Sequence, residues 1–274
     1  MKGDMSLISG VILNSPMPSL SLASALLLIA ISLIGGIGIT AIGPGGVLVT
    51  IALFALTDLS PAEVAGTAIV THIGTGIVGT LAYGRSGQLR EPGTRRLALV
   101  LSIVAVTGTP IGVWINTRVS SRQFGIMLAI LIVAVGLSII LRDRQGLPAT
   151  DKQPEGPAGV LPQAGIGGVV AVASGLFGIG GPMISVPIMV IAGFPMLSAL
   201  AAAQVQSIVV ASSGALTYFS HGAISWPLVF LTGIPELFGV WLGWKVAHSV
   251  PTRPLKYALA ATLILLGPVL IVNR

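Results

Sequence analysis

Apolar residues fill long uninterrupted runs along the chain, and charged residues are confined to the stretches between these runs. A helix needs about 20 apolar residues to cross the hydrocarbon core of a bilayer. Runs of this kind predict helices at 62–83, 97–115, 124–141, 197–219, 226–246 and 255–272. The pattern is that of an all-α fold, a polytopic transmembrane helical bundle.

Two further apolar regions, 20–56 and 163–192, are interrupted by clusters of glycine and proline. The apolar run after each cluster, at 47–56 and 183–192, has about ten residues and is too short to span a bilayer alone. Irregular backbone at membrane depth must be buried in protein or line a cavity. Each region is therefore predicted to form a broken or re-entrant helix.

The two halves of the chain resemble each other. A shift of 135 residues places three glycines of the first cluster on three glycines of the second. An ordered series of such matches predicts two homologous repeats, each made of a Gly-rich broken or re-entrant helix followed by three spans. The predicted organisation is an N-terminal segment at 1–19, a first transmembrane repeat at 20–141, a polar linker at 142–162 and a second repeat at 163–274.

The relative orientation of the repeats has two solutions. If each Gly-rich region enters and leaves on one face, the repeats are inverted, and the distribution of Lys and Arg slightly favours this arrangement. If the first limb crosses the membrane completely, the repeats are parallel, and the length of the apolar run at 20–42 favours that arrangement.

The composition excludes a soluble globular enzyme. Of the 274 residues, 8% are charged and 54% are hydrophobic, and the mean hydropathy is +0.98, whereas a soluble domain carries about 25% charged residues. The net charge of +6 comes from basic residues in the loops, which is typical of membrane orientation and does not indicate nucleic-acid binding. The first apolar run is predicted to be a membrane segment and not a removed signal peptide.

Motifs for enzymatic chemistry are missing from the sequence. The chain has no cysteine, which excludes disulfides, thiolate catalysis and Cys metal sites. It also has no Gly-x-x-x-x-Gly-Lys-Ser/Thr phosphate loop and no His, Asp or Glu cluster with metal-ligand spacing. We therefore expect a membrane transport protein without metal or cofactor, and not an enzyme.

The glycine clusters are the strongest candidates for a substrate site. Each opens a short helix, whose free N–H groups and positive dipole end favour an anion. Paired breaks at matching positions of two repeats mark the substrate site of many transporters. Close packing of helices through small residues is the alternative explanation. The candidate substrate-binding residues of the clusters are Gly43, Pro44, Gly45, Gly46, Gly178, Gly180, Gly181 and Pro182.

Polar side chains at an apolar depth follow both clusters. A stripe of threonines at helical spacing lies beside a histidine in the first half, and glutamines and a serine occupy the matching region of the second. Neutral donors suit an anion that must be released again. Threonines bonded to their own helix backbone, and a satisfied buried histidine, are equally good explanations. The residues assigned to the substrate site are Thr67, Thr71, His72, Gln204, Gln206 and Ser207, with Thr75 in the same stripe.

Glu236 is the only acidic residue well inside a predicted span. An intramembrane carboxylate is a functional candidate by default. Glu236 is therefore the candidate for binding a coupling proton. A structural pairing with Lys245, or with the backbone of a neighbouring helix, is the alternative.

Two motifs of the second half resemble a known family. The run Gly178-Ile179-Gly180-Gly181-Pro182-Met183-Ile184-Ser185-Val186-Pro187, and the ending Gly214-Ala215-Leu216-Thr217-Tyr218-Phe219 before Gly222, look like those of the TauE/SafE sulfite exporter family. The first half has the same layout from Gly38 to Gly87, so the resemblance covers almost the whole chain. It departs from the pattern at Val47, where the second half has Pro182.

The resemblance implies a multi-pass carrier in the inner membrane of a bacterium or archaeon. Its implied substrates are small sulfur-containing anions such as sulfite, sulfoacetate or other organosulfonates. Transport would be driven by an ion gradient, with protons as the coupling ion. The sequence leaves open a carrier of another small organic anion, a passive anion channel and a non-transporting membrane scaffold.

Overall fold

The computed structural model describes residues 20–145, 160–249 and 252–272, and within these ranges all regular structure is helical. The predicted N-terminal segment at 1–19 and residues 146–159 of the predicted linker lie outside the described residues. The helices are α1 (Leu22–Ala41), α2 (Val47–Leu56), α3 (Pro61–Arg85), α4 (Pro92–Asn116), α5 (Ser121–Gln145), α6 (Val160–Phe177), α7 (Pro182–Ile191), α8 (Met196–Ser220), α9 (Trp226–Ser249) and α10 (Thr252–Val272). The predicted all-α fold is confirmed.

Seven helices in the described ranges are long and apolar enough to cross a membrane: α1, α3, α4, α5, α6, α8 and α9. The last predicted span, at 255–272, forms α10. Large apolar side chains are exposed on the outer faces of α4 and α5, and Leu99, Ile103 and Ile130 are each more than 60% exposed. Apolar surface of this extent is stable against lipid and not against water. The chain is therefore a multi-pass membrane protein.

Glycine makes two sharp breaks possible. Gly43 has a φ of 113° and Gly178 has a φ of 67°, in a region that other residues rarely adopt. After the first break, a short 3-10 turn (Pro44–Gly46) leads into α2, which folds back along α1 so that Leu48 contacts Gly35. Helices are thus broken where the glycine clusters predicted.

Close glycine contacts give the directions of the central helices. The start of α3 contacts the end of α8, and the end of α3 contacts the first half of α8, so these helices run antiparallel. Later residues of α6 contact later residues of α4, and the same holds for α1 and α9, so each of these two helix pairs runs parallel. The contacting residues are Gly66 with Tyr218, Gly79 with Gln204, Gly167 with Leu101, Gly175 with Thr109, Gly239 with Leu33 and Gly243 with Ile37.

These directions show that the two broken helices enter the bundle from opposite ends. Short loops join α3 to α4 and α8 to α9, so each consecutive pair is antiparallel. Since α3 and α8 oppose each other, α4 and α9 also oppose each other. It follows that α1, which is parallel to α9, and α6, which is parallel to α4, enter the bundle from opposite ends.

Two aromatic–cation pairs mark these ends. The Arg118 guanidinium lies 3.8 Å from the centre of the Trp114 ring, and the Lys245 ammonium lies 3.7 Å from the centre of the Trp241 ring. Such pairs are favourable, and tryptophan and basic residues collect at membrane–water interfaces. Because the pairs lie towards the ends of the opposed helices α4 and α9, they mark the two faces of the membrane.

Aromatic packing holds the short helix α2 inside the bundle. The rings of Phe54 and Phe124 are 5.1 Å apart, and those of Phe124 and Phe177 are 5.7 Å apart. These three rings join α2 to the start of α5 and the end of α6. All three are at most 5% exposed. A ten-residue helix that cannot span the bilayer is thereby fixed at a defined depth.

Candidate functional site

A small cavity of about 10 Å³ lies where the two broken helices meet. This volume is close to the smallest that can hold one water molecule. Both breaks and the middle of α3 and α8 contribute to its wall. The lining residues are Ile39, Gly43, Gly46, His72, Thr75, Gly180, Pro182, Met183 and Ser207.

Two helix N-termini converge on this cavity. Gly46 is the N-cap of α2, and Gly181 precedes α7, whose first residues Pro182 and Met183 line the wall. Pro182 has no N–H, and the N–H of Met183 donates to the carbonyl of Gly180 at 3.4 Å, so α7 contributes the partial positive charge of a helix N-terminus and not a free donor from these two residues. No lining residue is acidic. The cavity is therefore suited to an anion.

The imidazole of His72 lies between the two breaks. A Cβ atom placed on Gly46 would be 2.7 Å from His72 Cε1, and one on Gly180 would be 3.4 Å from His72 Cγ and 3.1 Å from Ser207 Oγ. Glycine is thus needed at Gly46 so that the ring can approach the backbone of the first break. One ring contacts one glycine from each broken helix.

Several residues predicted for the site line the cavity together. They come from four elements that are distant in the chain, and they are Gly43, Gly46, His72, Gly180, Pro182 and Ser207. Thr75 also lines the cavity, at the position that its helical spacing from Thr71 indicated. Ile39 and Met183 were not predicted, because an apolar side chain in an apolar run carries no signal in the sequence.

The other predicted cluster residues do not line the cavity, and they shape the breaks instead. Gly45 packs against the backbone of α1 at Gly35, and Gly178 packs against Ala65 of α3. Pro44 is buried in the 3-10 turn. A Cβ on Gly181 would lie 3.1 Å from the carbonyl oxygen of Ala203 in α8. Close packing through small residues, the alternative explanation, describes these positions.

The first two threonines of the stripe lie outside the cavity. Thr67 Oγ1 accepts a hydrogen bond of 3.0 Å from the N–H of Ser225, just before α9. Thr71 Oγ1 donates a hydrogen bond of 2.8 Å to the carbonyl of Ala68 in its own helix. Thr67 thus joins α3 to α9, and Thr71 follows the backbone-bonding alternative.

Gln204 and Gln206 are both buried but lie on different faces of α8. Gln204 covers Gly79 of α3, and Gln206 Oε1 lies 3.3 Å from the place of a Cβ on Gly181. Positions two apart on a helix differ by about 200°, so the two amides cannot face one site. Neither side chain has a hydrogen-bond partner among the described residues. Gln206 is therefore next to the second break, and Gln204 is not.

Glu236 is fully buried beside His72. Its Oε1 lies 3.4 Å from His72 Nδ1, and this contact joins the middle of α9 to the middle of α3. Lys245, the alternative partner, lies over the Trp241 ring instead. The pairing could not be read from the sequence, because 164 positions separate the two residues in the chain.

Asn116 is a structural residue that no sequence pattern indicated. Its Nδ2 donates a hydrogen bond of 2.6 Å to the carbonyl of Leu176 and one of 3.3 Å to the carbonyl of Pro61. The carbonyl of Leu176 belongs to the last turn of α6, where carbonyls lack partners within their own helix. Asn116 therefore caps the broken helix α6 from the end of α4 and fixes the position of the second break.

Comparison with known proteins agrees with this architecture. Residues 27–270 match the model of the family described as sulfite exporter TauE/SafE. The chain is also 27% identical over 270 residues to the "Probable membrane transporter protein YunE" of Bacillus subtilis (strain 168), covering 89% of this chain and 96% of that protein. No solved structure matches the chain significantly. The match over nearly the whole length shows that the chain is a membrane transporter, not an enzyme, and belongs to the TauE/SafE sulfite exporter family.

Proposed function

We propose that the protein is a secondary transporter for small sulfur-containing anions such as sulfite, sulfoacetate or other organosulfonates. The observation that carries the proposal is the convergence of two helix N-termini, His72 and Ser207 on one cavity in the middle of the bundle. A hydroxyl and an imidazole are donors that an oxyanion accepts from, and helix N-termini add a partial positive charge. The cavity contains no Lys or Arg that would hold the anion permanently.

Alternating access is the mechanism that we propose for this site. A cavity of about 10 Å³ is too small for a sulfonate group, so substrate enters only when the two breaks move apart. The broken helices α1 and α6 enter from opposite ends of the bundle. Rocking of the two halves around the cavity would therefore expose it to one membrane face at a time.

The halves are proposed to be inverted repeats. Each half has the order long helix, ten-residue helix and three long helices. Two hydrogen bonds support the correspondence: Tyr83 Oη donates to the carbonyl of Thr40, and Tyr218 Oη donates to the carbonyl of Gly175. Both donors and both acceptors are related by the shift of 135 residues. Since α3 and α8 correspond under this shift and run antiparallel, the repeats are inverted.

If the repeats are inverted, corresponding loops of the two halves lie on opposite faces of the membrane. The chain has no cysteine, so Ser86→Cys, Ser120→Cys and Ser220→Cys each introduce a single thiol at an exposed position. An impermeant maleimide is expected to label Ser120→Cys and Ser220→Cys in vesicles of one orientation, right-side-out or inside-out, and Ser86→Cys in vesicles of the other. Labelling of Ser86→Cys and Ser220→Cys from the same side would indicate parallel repeats.

The inner membrane of a bacterium or archaeon is the proposed location. Arg85, Arg90, Arg95 and Arg96 lie at the end of the bundle where α3 ends and α4 begins. Under the positive-inside rule this end faces the cytoplasm. The Ser86→Cys variant is therefore expected to react from the cytoplasmic side.

Counterflow in proteoliposomes tests the transport proposal. Liposomes with purified protein are loaded with unlabelled sulfite, sulfoacetate or sulfate, and uptake of the labelled anion is followed. A carrier gives transient accumulation of label above equilibrium, whereas a passive channel gives equilibration without accumulation. Absence of counterflow with every sulfur oxyanion would contradict the proposed substrate class.

Ser207→Ala is expected to raise the half-saturation concentration of the transported anion about tenfold. The substitution removes one hydroxyl donor from the cavity wall, and a hydrogen bond to a charged group contributes about 1.5 kcal/mol or more. Ser220→Ala is the matched control, because Ser220 is exposed at the end of the same helix and bonds to its own helix backbone. Equal effects of the two variants in concentration-dependent counterflow would remove Ser207 from the site.

A further inference from the structure

Buried acidic, basic and imidazole side chains are confined to one place among the side chains that the structure describes. His72 is 1% exposed and Glu236 is 0% exposed, and no other Asp, Glu, His, Lys or Arg among them is buried. The two residues lie near the middle of α3 and α9, far from both ends of the bundle. A buried carboxylate is strongly disfavoured unless it is paired or neutral. His72 is the one described Asp, Glu, His, Lys or Arg side chain that lies beside this carboxyl group inside the bundle.

The His72 imidazole connects Glu236 to the cavity. Its Nδ1 edge faces Glu236 Oε1 at 3.4 Å. The ring itself lines the cavity, and Nε2 has no hydrogen-bond partner among the described residues. One face of the pair is thus open to a group bound in the cavity, and the Glu236 carboxyl lies on the other side of the ring. The cavity and the Glu236 carboxyl group are separated by a single imidazole.

We propose that the His72–Glu236 pair takes up one proton when an anion binds in the cavity, so that the anion and the proton cross the membrane together. The proton adds either to the carboxylate oxygen of Glu236, giving the neutral acid, or to the free imidazole nitrogen of His72, giving imidazolium. In both cases the pair becomes more positive by one charge beside the bound anion. The inference rests on the proposed anion transport and adds the role of His72 as the partner of Glu236, the sign of coupling and its stoichiometry.

The sign of coupling follows from electrostatics and linkage. A bound anion favours the protonated pair, because opposite charges attract strongly in a dry interior. Coupling between two sites is reciprocal, so the protonated pair binds the anion more tightly than the deprotonated pair. Affinity for the anion therefore falls as the pH rises. An exchange of anion against proton would need the opposite dependence.

Other titratable groups lie too far along their helices to replace this pair. The elements α1, α2 and α7 contain no Asp, Glu, His, Lys or Arg. In α8 the titratable group is Tyr218, whose hydroxyl donates to the Gly175 carbonyl at 2.7 Å. The remaining groups of the helices that carry the pair stand towards their ends: Glu63, Tyr83 and Arg85 in α3, and Lys245 and His248 in α9.

One proton for each anion is the expected stoichiometry. Under the shift of 135 residues, His72 corresponds to Ser207 in the second half. Glu236 corresponds to Ala105, because Gly243 packs against the carbonyl of Ile37 as Gly112 packs against that of Val172, which matches α4 to α9 seven residues further along each helix. Neither the hydroxyl of Ser207 nor the methyl group of Ala105 titrates near neutral pH. The bundle therefore carries a titratable pair at only one of the two matching positions.

Proton movement during sulfoacetate transport tests the inference. Proteoliposomes with the full chain and an internal pH dye receive external sulfoacetate, whose charge is constant between about pH 6 and 8. With the wild type, we expect internal acidification of about one proton per labelled sulfoacetate taken up. With Glu236→Gln, we expect slower counterflow and a ratio of protons to sulfoacetate close to zero. Glu63→Gln, an acid-to-amide change at the start of α3, is the control and should keep the wild-type ratio.

The outcomes separate this inference from the transport proposal. Sulfoacetate counterflow without acidification in the wild type would overturn the inference and leave transport intact, as would acidification that persists in Glu236→Gln. No counterflow in the wild type would refute transport of sulfoacetate and the coupling with it. An unchanged proton ratio in Glu63→Gln shows that loss of one carboxylate elsewhere does not abolish coupling.

A measurement on the wild type covers the case in which Glu236→Gln fails to fold. The half-saturation concentration for sulfoacetate counterflow is compared at equal internal and external pH, at about pH 6 and pH 8. We expect it to be about tenfold lower at the lower pH, within the range usual for coupled sites. Equal values at the two pH values would overturn the inference. His72→Gln, which removes the connecting ring, is expected to abolish the pH dependence.

Discussion

Gly180→Val is expected to reduce anion transport at least 100-fold while the protein still folds and inserts into the membrane. A Cβ at this position enters the cavity, and its nearest neighbours are side-chain atoms, Ser207 Oγ at 3.1 Å and His72 Cγ at 3.4 Å. Valine therefore fills space that the anion needs without forcing the backbone apart. A 100-fold loss corresponds to about 2.7 kcal/mol of lost binding. Counterflow in proteoliposomes measures the effect, and size-exclusion chromatography in detergent checks folding.

Gly165→Val is the matched control for this prediction. Gly165 lies in α6, and a Cβ placed there meets no atom within 4 Å. The control should transport at the wild-type rate. If Gly180→Val were as active as Gly165→Val, the cavity between the breaks would not be the substrate site, and a packing role of the glycines would remain as their explanation.

Asn116→Leu is expected to lower the free energy of unfolding by about 2 kcal/mol or more. The side chain is 1% exposed, and its Nδ2 donates to the carbonyls of Leu176 and Pro61. Leucine has a similar size but no hydrogen-bond donor. The carbonyl of Leu176 at the end of α6 therefore loses the hydrogen bond from Asn116 while it stays buried, which costs about 1–3 kcal/mol. The melting temperature in detergent micelles should fall by about 4–8 °C.

Thr117→Val provides the comparison for the capping role. Thr117 follows Asn116 directly, and its hydroxyl donates to the carbonyl of Trp114 in its own helix. Removal of this local hydrogen bond should change the melting temperature by less than a third of the Asn116→Leu effect. Similar shifts for both substitutions would show that Asn116 does not stabilise the broken helix.

The threonine stripe shows how far helical spacing leads towards a site. Spacing correctly placed Thr71 and Thr75 on the same side of α3, but the cavity is narrow and only Thr75 lines it. Thr67 lies two turns earlier than Thr75, where its hydroxyl oxygen accepts a hydrogen bond from the N–H of Ser225, just before α9. The periodicity of one helix defines a face. The neighbouring helices decide which residues of that face meet a cavity.

The glutamines show the same limit in a different form. Their burial was expected from their position in an apolar run, and both are at most 1% exposed. Helical geometry separates residues two apart onto different faces, so Gln204 and Gln206 could not serve one site together. Gln206 adjoins the second break and Gln204 covers Gly79, a distinction set by the packing of α8 against α3.

The sequence by itself determined the membrane environment, the helices and the places where two of them break. These features are local. A run of apolar residues that is long enough to cross the bilayer forms a helix there, and a cluster of glycines interrupts that helix. Only the tertiary structure decided that Glu236 contacts His72, that Asn116 caps α6 and that the broken helices enter from opposite ends. These features depend on contacts between residues 60 or more positions apart, which follow from the packing of whole helices and leave no periodic pattern in the chain.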